Sequence, residues 1–308
     1  MINVSSVTKC YGKLLAIDNI SFQVERGEIL GFLGPNGAGK TTTMRIITGY
    51  TPPTEGEVQV GGFDVVEDPI SAKKQIGYLP ENPPLYNEMT VQGYLDFVAD
   101  LKNVPGKIKP DRISFVMKKC GVEDVRNRLI GNLSKGYRQR IGIGQALVND
   151  PAVLILDEPT IGLDPKQITE IRELIKGLAG DRTIILSTHI LPEVNMMCTR
   201  VIIIHKGKIA LEESLDRITG DLQSSKILLL KINRSDNNVG DTIRGLPHVS
   251  DVSEILPGEF RVSCESSHDI REVVAKTVVE NGLGLLELRP FTESLEEIFL
   301  KVISAEGE

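Results

Sequence analysis

The chain has 308 residues, more than a typical single domain, and its 41% hydrophobic and 25% charged residues are typical of a globular protein. Its net charge of −7 is uneven, because residues 1–220 hold 26 basic and 26 acidic side chains whereas residues 221–308 hold 9 and 16. A nucleic-acid-binding protein would show a basic excess and a recognition motif, so we expect no nucleic-acid partner.

The apolar runs are far shorter than the roughly 18 residues of a membrane-spanning helix. The N-terminal sequence MINVSSVTKCYG also lacks the basic start and apolar stretch of a signal peptide. We therefore expect a cytoplasmic protein. The four cysteines are widely separated, without C-x-x-C spacing, and predict neither a disulfide framework nor a zinc site.

The first 220 residues predict an α/β domain. Short β-like stretches open the chain, and the third, EILGFLG, runs through glycines into the helical run KTTTMRIITG. Residues 88–148 have a helical pattern, with breaks at NVPGK and near Gly131. The runs AVLILD, TIILS and VIIIH are almost wholly apolar, which is typical of parallel strands covered by helices on both faces.

Residues 101–150 carry 11 basic and 4 acidic side chains. This stretch is either a solvated helical face or a surface near a negatively charged partner or lipid headgroups.

A second, smaller domain is predicted from residue 221 to 308, after the polar stretch ITGDLQSSK. Its elements follow the order β-α-β-β-α-β, which favours a small ferredoxin-like α+β module. The last helix begins with a capping box formed by Ser294 and Glu297. One face of that helix is apolar, which indicates packing.

The segment GPNGAGKT matches the phosphate-binding pattern G-x-x-x-x-G-K-[ST] between a predicted strand and a predicted helix. Backbone N–H groups of such a loop turn towards phosphate oxygens, Lys40 reaches the terminal phosphates, and Thr41 offers a hydroxyl to Mg²⁺. The alternative is a glycine-rich turn with a chance Lys-Thr pair. The candidate nucleotide-binding residues here are Gly34, Pro35, Asn36, Gly37, Ala38, Gly39, Lys40, Thr41 and Thr42.

Polar side chains follow two of the apolar strands. Asp157 and Glu158 end the run AVLILDE, and His189 follows TIILST. Ligands of open α/β sheets bind at the carboxyl ends of the strands, so Asp157 suits a metal ion, Glu158 a catalytic base, and His189 a hydrogen bond to the γ-phosphate. The alternatives are an acidic turn that caps the next helix and an incidental surface histidine. The other three histidines have no such context.

These features predict a Mg²⁺-dependent nucleoside triphosphatase. Guanine specificity favours an N-K-x-D sequence, and the nearest string, NRSD at Asn233, lacks the lysine and lies outside the α/β domain. We therefore expect ATP as the nucleotide.

The segments GPNGAGKTT, LSKGYRQR, LILDEPTIGLDP and STHI occur in this order, and the first 220 residues thereby resemble the nucleotide-binding subunit of an ABC transporter. The resemblance implies a P-loop cassette with an antiparallel β subdomain and a helical insertion, residues 82–148, that docks on membrane-spanning partners. It implies that Tyr11 stacks on adenine and that Asp164 lies at a dimer interface. It also implies that Ser134 and Gly136, in the signature motif, close on ATP held by a second subunit.

Two departures from the family pattern stand out. Glu81 occupies the position of a glutamine that binds Mg²⁺, a role that a carboxylate can also fill. In the signature, Lys135 replaces a glycine and Tyr137 a glutamine, whereas Ser134 and Gly136 are kept. Ser134 can also cap the helix that follows it to about Val148.

The segment IGYLPENPPLYNEMTV, the K-G-x-R-Q-R signature and the acidic C-terminal module resemble those of exporter ATPases for drug resistance, polysaccharide export and gliding motility. This implies a homodimer or heterodimer on a separate transmembrane permease, at the cytoplasmic face of the membrane only through that partner. One alternative is a soluble ABC-type ATPase of DNA repair or ribosomes, although a single lysine motif without sustained heptads disfavours it. The other is an importer ATPase, in which we would expect an all-β C-terminal module.

Overall fold

The computed structural model describes residues 1–219, 227–233, 239–264, 269–291 and 295–304. Contacts between Cα atoms divide the chain into one unit that holds Met1–Leu215 and another that spans Asp216–Lys301. The division falls shortly before the predicted boundary, and most of the stretch 218–226 lies outside the described residues. Over the described ranges, no helix combines the length and the apolar character needed to span a bilayer.

The first unit contains ten strands and seven helices among its described residues. The strands are β1 (Ile2–Tyr11), β2 (Leu14–Val24), β3 (Ile29–Leu33), β4 (Glu55–Val60), β5 (Phe63–Asp64), β6 (Ile76–Leu79), β7 (Val153–Asp157), β8 (Thr183–Thr188), β9 (Arg200–His205) and β10 (Lys208–Ser214). The helices are α1 (Lys40–Ile47), α2 (Pro69–Gln75), α3 (Val91–Leu101), α4 (Lys109–Lys119), α5 (Lys135–Leu147), α6 (Pro165–Lys176) and α7 (Leu191–Met197).

Two sheets organise this unit. The first is antiparallel, with the order β2-β1-β4-β5. The second has the order β10-β9-β3-β8-β7-β6, in which only the β10-β9 pair is antiparallel. Every residue of β3, β7 and β8 is buried, as predicted from their apolar sequences. One face of the parallel sheet shares a core with α1 and the antiparallel sheet, and the other face shares a core with helices of the first unit.

The helical segment of the first unit lies between β6 and β7. The break at NVPGK separates α3 from α4, and short 3₁₀ turns at Glu123–Val125 and Ile130–Asn132 precede α5. Thr90 caps α3 by accepting a hydrogen bond from the Gly93 N–H at 3.1 Å. Buried residues of α3, α4 and α5 belong to one hydrophobic core. The predicted helices and their breaks therefore agree with the structure.

The helix α2 was not predicted. Its start is marked by a cap, since the Asp68 carboxylate accepts from the Ser71 N–H at 3.2 Å and Pro69 occupies the first helical position. These signals are local, but the helix has only seven residues and a single buried side chain, Ala72. It is too short for apolar periodicity to reveal it.

The second unit has the predicted order β-α-β-β-α-β. After α8 (Leu215–Thr219), its elements are β11 (Ile227–Ile232), α9 (Val239–Arg244), β12 (Val249–Leu256), β13 (Glu259–Cys264), α10 (Arg271–Glu280), β14 (Leu285–Pro290) and α11 (Leu295–Ser304). Its strands pair antiparallel in the order β12-β13-β11-β14, the arrangement of a ferredoxin-like module. Ser294, predicted to cap the last helix, lies outside the described residues.

Candidate functional site

An open cavity of about 700 Å³ lies at the carboxyl ends of the parallel strands in the first unit. Segments that are distant in sequence contribute its walls, because β8 lies between β3 and β7 in the sheet. The predicted site residues that line it are Tyr11, Asn36, Gly37, Gly39, Lys40, Thr41, Thr42, Glu81, Glu158 and His189. One cavity thus collects the phosphate loop, both candidate catalytic residues and two candidate metal ligands.

The glycines of the loop between β3 and α1 have conformational reasons to be glycines. Gly37 and Gly39 have φ angles of 79° and 114°, in a region that side chains disfavour. A Cβ atom at Gly34 would lie 2.4 Å from the carbonyl oxygen of Ile204, so no side chain fits there. Gly39 takes the N-cap position of α1 without a capping side chain, which leaves the N–H groups of this helix end available to an anion.

Lys40 is the first residue of α1 and is buried. Its Nζ donates hydrogen bonds to the carbonyl oxygens of Gly34 at 2.7 Å and Pro35 at 3.3 Å. It also lies 3.7 Å from Oε1 of Glu158. The ammonium is therefore held over the loop and faces the carboxylate of Glu158, the residue directly after β7.

Asp157 is 1% exposed at the end of β7. No residue that the structure describes completes a well-aligned hydrogen bond to either of its carboxylate oxygens. Burial raises the pKa of Asp157, against the opposing effect of the Ser187 and Thr41 hydroxyls, which favour the charged form. A buried carboxylate with unused oxygens beside a threonine hydroxyl is a donor set that suits a hard divalent cation.

Glu158 follows directly and has a φ angle of 50°, in the left-handed region. Its backbone N–H donates to the carbonyl oxygen of Ser187 at 2.9 Å, which ties the turn after β7 to β8. Both of its carboxylate oxygens contact Nδ1 of His189, at 3.0 and 2.9 Å. The unusual backbone conformation thus turns the carboxylate towards the residue that follows β8.

Sequence reasoning missed Glu193, a fully buried carboxylate in α7. The Thr160 hydroxyl donates a hydrogen bond to one of its oxygens, and the Thr188 hydroxyl donates to the other at 3.0 Å. Thr160 lies two residues after Glu158, and Thr188 immediately precedes His189. Glu193 therefore connects, through hydrogen bonds, the two segments that carry Glu158 and His189. A charged residue in the apolar pattern of a short helix was the only sequence signal.

The cavity also contains lining residues that we did not predict. They are Leu14, Leu15 and Ala16 from the start of β2, Ile161, and the turn residues Lys206 and Gly207. The apolar ones extend the surface beside Tyr11, which is 44% exposed. No motif marks these positions, because the turn that carries Lys206 reaches the cavity only through the pairing of β9 with β3.

A second group of predicted residues lies outside this cavity, within the part of the chain described. Ser134 caps α5 by accepting from the Tyr137 N–H at 3.4 Å, and Asp164 caps α6 by accepting from the Gln167 N–H at 2.9 Å. Both are exposed, whereas Gly136 is buried against Gln167. The starts of α5 and α6 therefore contact each other and do not line this cavity.

Comparisons with known proteins agree on this architecture. Residues 17–161 match the protein family described as ABC transporter. The chain is 35% identical to a bacitracin transport ATP-binding protein of Bacillus licheniformis, over 98% of this chain and 97% of that protein. It is 31% identical to a linearmycin resistance ATP-binding protein of Bacillus subtilis, over 98% of both chains.

Solved structures match about 70% of the chain. A dimeric ATP-binding cassette in a post-hydrolysis state, bound to ADP and Pi, superimposes with a TM-score of 0.64 and 28% identity, over 70% of this chain and 99% of that one. Another match, an ATP-binding subunit of an ABC transporter, has a TM-score of 0.65 and 30% identity, over 71% and 91% of the two chains. Together with the phosphate loop and the acidic end of β7, these similarities show that the chain is an ATP hydrolase that belongs to the ABC transporter ATP-binding family.

Proposed function

We propose that this ATPase drives an exporter, as one of two cassette subunits that together enclose ATP and act on a separate transmembrane permease. One observation carries the proposal: the phosphate loop, Glu158 and His189 line one cavity, whereas neither exposed Ser134 nor buried Gly136 lines it. ATP bound to the phosphate loop of one subunit would therefore not contact the Ser134 and Gly136 of that same subunit. A second cassette subunit supplies them.

The cavity residues have separate roles in this proposal. Backbone N–H groups of the loop and Lys40 bind the β- and γ-phosphates, and Tyr11 stacks on the adenine. Thr41, Asp157 and Glu81 would hold Mg²⁺, and the unused oxygens of buried Asp157 support this assignment. When bound, the ion would neutralise phosphate charge.

Glu158 is the general base. It accepts a proton from the water whose oxygen attacks the γ-phosphorus, while the bond between that phosphorus and the β,γ-bridging oxygen breaks to leave ADP. Lys40 balances charge on the transferred group. His189 positions the γ-phosphate, and its contact with Glu158 supports a shared task.

The membrane partner binds a second cavity, of about 1030 Å³, between the helical segment and the α2–β6 region; we call it the basic groove. Its exposed apolar residues are Tyr50, Ile70, Leu101 and Ile108, and its basic residues are Arg45, Lys73, Lys74, Lys102 and Arg112, against one acidic residue, Asp150. This combination fits an amphipathic segment that carries acidic side chains. The subunit would then reach the cytoplasmic face of the membrane through its permease.

The exporter assignment rests on the relatives. The bacitracin transport and linearmycin resistance proteins match nearly the whole chain, including the second unit. An α+β second unit also differs from the all-β module that we expect in importer ATPases.

Affinity purification from detergent-solubilised membranes tests the partner. Recovery of a polytopic membrane protein with the wild type, and its loss when Lys73, Lys74 and Arg112 are together changed to glutamate, would support the proposal. Recovery of ribosomes or DNA instead would overturn it.

Two variants test the shared site. Glu158→Gln should bind ATP and accumulate as an ATP-bound dimer in size-exclusion chromatography, because hydrolysis no longer reopens it. Ser134→Arg should abolish turnover, although a single subunit still binds ATP. Unchanged hydrolysis by the Ser134 variant would contradict the shared-site arrangement.

A further inference from the structure

The first turns of α5 are held by a line of side chains that the proposed reaction does not use. The Tyr137 hydroxyl donates to Oδ2 of Asp124 at 2.7 Å, a bond that raises the pKa of the tyrosine. The Arg140 guanidinium lies over the Tyr137 ring, 4.6 Å from its centre, and its Nη2 lies 3.2 Å from Oε2 of Glu170 in α6. We call this line, Asp124–Tyr137–Arg140–Glu170, the signature bridge.

The bridge connects two helices that already touch near their starts. A Cβ atom at Gly136 would lie 2.7 Å from Cδ of Gln167, so the α5 backbone lies directly on the first turn of α6. A Cβ atom at Gly162, in the loop before α6, would lie 2.4 Å from Nζ of Lys135. The signature residues therefore cannot shift far without moving the start of α6.

The start of α6 is in turn tied to the catalytic segment of the same chain. Consecutive turns connect them, because the Ile161 N–H donates to the Glu158 carbonyl at 3.2 Å and the Leu163 N–H to the Thr160 carbonyl at 3.2 Å. Asp164 then caps α6. A hydrogen-bonded path runs from Glu158 to α6, and the bridge continues it to α5.

We propose that Arg140 is a positioning residue that ties the signature residues to the catalytic segment of its own chain, so that ATP bound in one subunit orients the Ser134 and Gly136 offered to the other. This inference rests on the proposed two-subunit site. Arginine suits the task because its planar group stacks on a ring while its N–H fork donates to a carboxylate. Tyr137 provides the ring and the hydroxyl, which the glutamine usual at this position lacks.

The Arg140 and Glu170 side chains are 19% and 37% exposed, and glutamine at either position keeps the aliphatic part of the side chain and a polar end that water can reach. Variants of the pair should therefore fold, and their effects should appear in turnover. Normal folding with reduced turnover would separate a positioning role of Arg140 from a structural one.

A double-mutant cycle on Arg140→Gln and Glu170→Gln tests the inference. We expect each single variant to bind ATP as a monomer with wild-type affinity. Each should lower kcat about tenfold or more, since small misplacements of reacting groups are costly, and bring the Hill coefficient for ATP close to 1. The kcat of the double variant should be no lower than that of either single variant.

The matched control is Arg271→Gln, which removes an exposed Arg–Asp pair in the second unit.

The outcomes are distinguishable from those of the proposed function. If Glu158→Gln does not dimerise with ATP, the two-subunit site fails, and this inference fails with it. If that variant dimerises but Arg140→Gln keeps the wild-type kcat and Hill coefficient, only this inference is overturned. Additive losses in the double variant would also overturn it, because the two residues would then act independently.

Discussion

Nδ1 of His189 lies 2.9 and 3.0 Å from the two carboxylate oxygens of Glu158. An ionised carboxylate only accepts hydrogen bonds, so Nδ1 must carry a proton and donate. In the neutral imidazole Nε2 is then an acceptor. His189 can thus donate to a phosphate oxygen through Nε2 only when doubly protonated, or through Nδ1 after its ring leaves Glu158. The candidate base and the histidine form one coupled pair.

Because His189 contacts the candidate base, His189→Ala should slow ATP hydrolysis. We expect kcat to fall about 10²-fold, within the range for loss of a positioned hydrogen-bonding or proton-transfer group. Binding of ATP should change little, because the loop and Lys40 remain. Steady-state hydrolysis and equilibrium nucleotide binding check both parts. His248→Asn is the control: it lies in the second unit, and asparagine tolerates the φ angle of 65°. Wild-type kcat in the His189 variant would contradict the assignment.

Removal of the buried Glu193 carboxylate should lower both the free energy of unfolding and kcat. Glu193→Ala leaves the Thr160 and Thr188 hydroxyls without their acceptor, so we expect the free energy of unfolding to fall by about 1–3 kcal/mol. Glu193→Gln should cost less, because one amide oxygen still accepts and the other hydroxyl can rotate to accept from the amide NH₂. Denaturant unfolding and kcat should rank the proteins in the order wild type, Gln variant, Ala variant. Equal stability of the Ala variant and the wild type would show that the hydrogen bonds to Glu193 do not stabilise the fold.

Two loop glycines should respond differently to alanine. Gly37→Ala meets no described atom within 4 Å but retains a φ angle of 79°, so we expect a loss of about 1–2 kcal/mol in unfolding free energy. Gly34→Ala instead places a Cβ atom 2.4 Å from a backbone oxygen, which must displace the loop. Nucleotide binding should therefore be lost in the Gly34 variant and retained in the Gly37 variant. Titration with a fluorescent ATP analogue distinguishes the two, and equal binding would contradict this reading.

The buried Lys102 side chain should make the free energy of unfolding depend on pH. Its Nζ donates to the Gln145 carbonyl at 3.0 Å and to Oδ1 of Asn149 at 2.9 Å, and burial lowers its pKa to about 8. The unfolded chain, with a lysine pKa of about 10.4, binds more protons above pH 8 than the folded chain, so stability should rise with pH in that range.

The comparison with Lys102→Met isolates this effect, because the variant loses the same hydrogen bonds at every pH. Between about pH 7 and pH 10, the unfolding free energy of the wild type relative to the variant should rise by on the order of 2 kcal/mol. Denaturant titrations at several pH values measure it. A difference that stays constant over this range would show that Lys102 keeps an ordinary pKa.

Local sequence was sufficient for most of the elements and for the phosphate-loop pattern, but not for α2 or for the contacts of Glu193. The apolar runs that became β7, β8 and β9 predicted buried strands, and the glycine pattern before Lys40 predicted a phosphate loop. Ser134 was recognisable as a cap because its hydroxyl bonds within its own turn. The order of elements in the second unit also followed from periodicity and turn residues. Such features depend on neighbours a few residues apart, and the sequence displays those directly.

The tertiary structure decided which of these residues meet. Insertion of β8 between β3 and β7 brings His189 against Glu158 and places both beside Lys40. The same fold leaves Ser134 on another surface and pairs Arg140 with Glu170. These contacts join elements that are distant along the chain, and their geometry depends on strand order and helix packing. A single sequence contains the side chains but not the crossover that brings them within hydrogen-bonding distance.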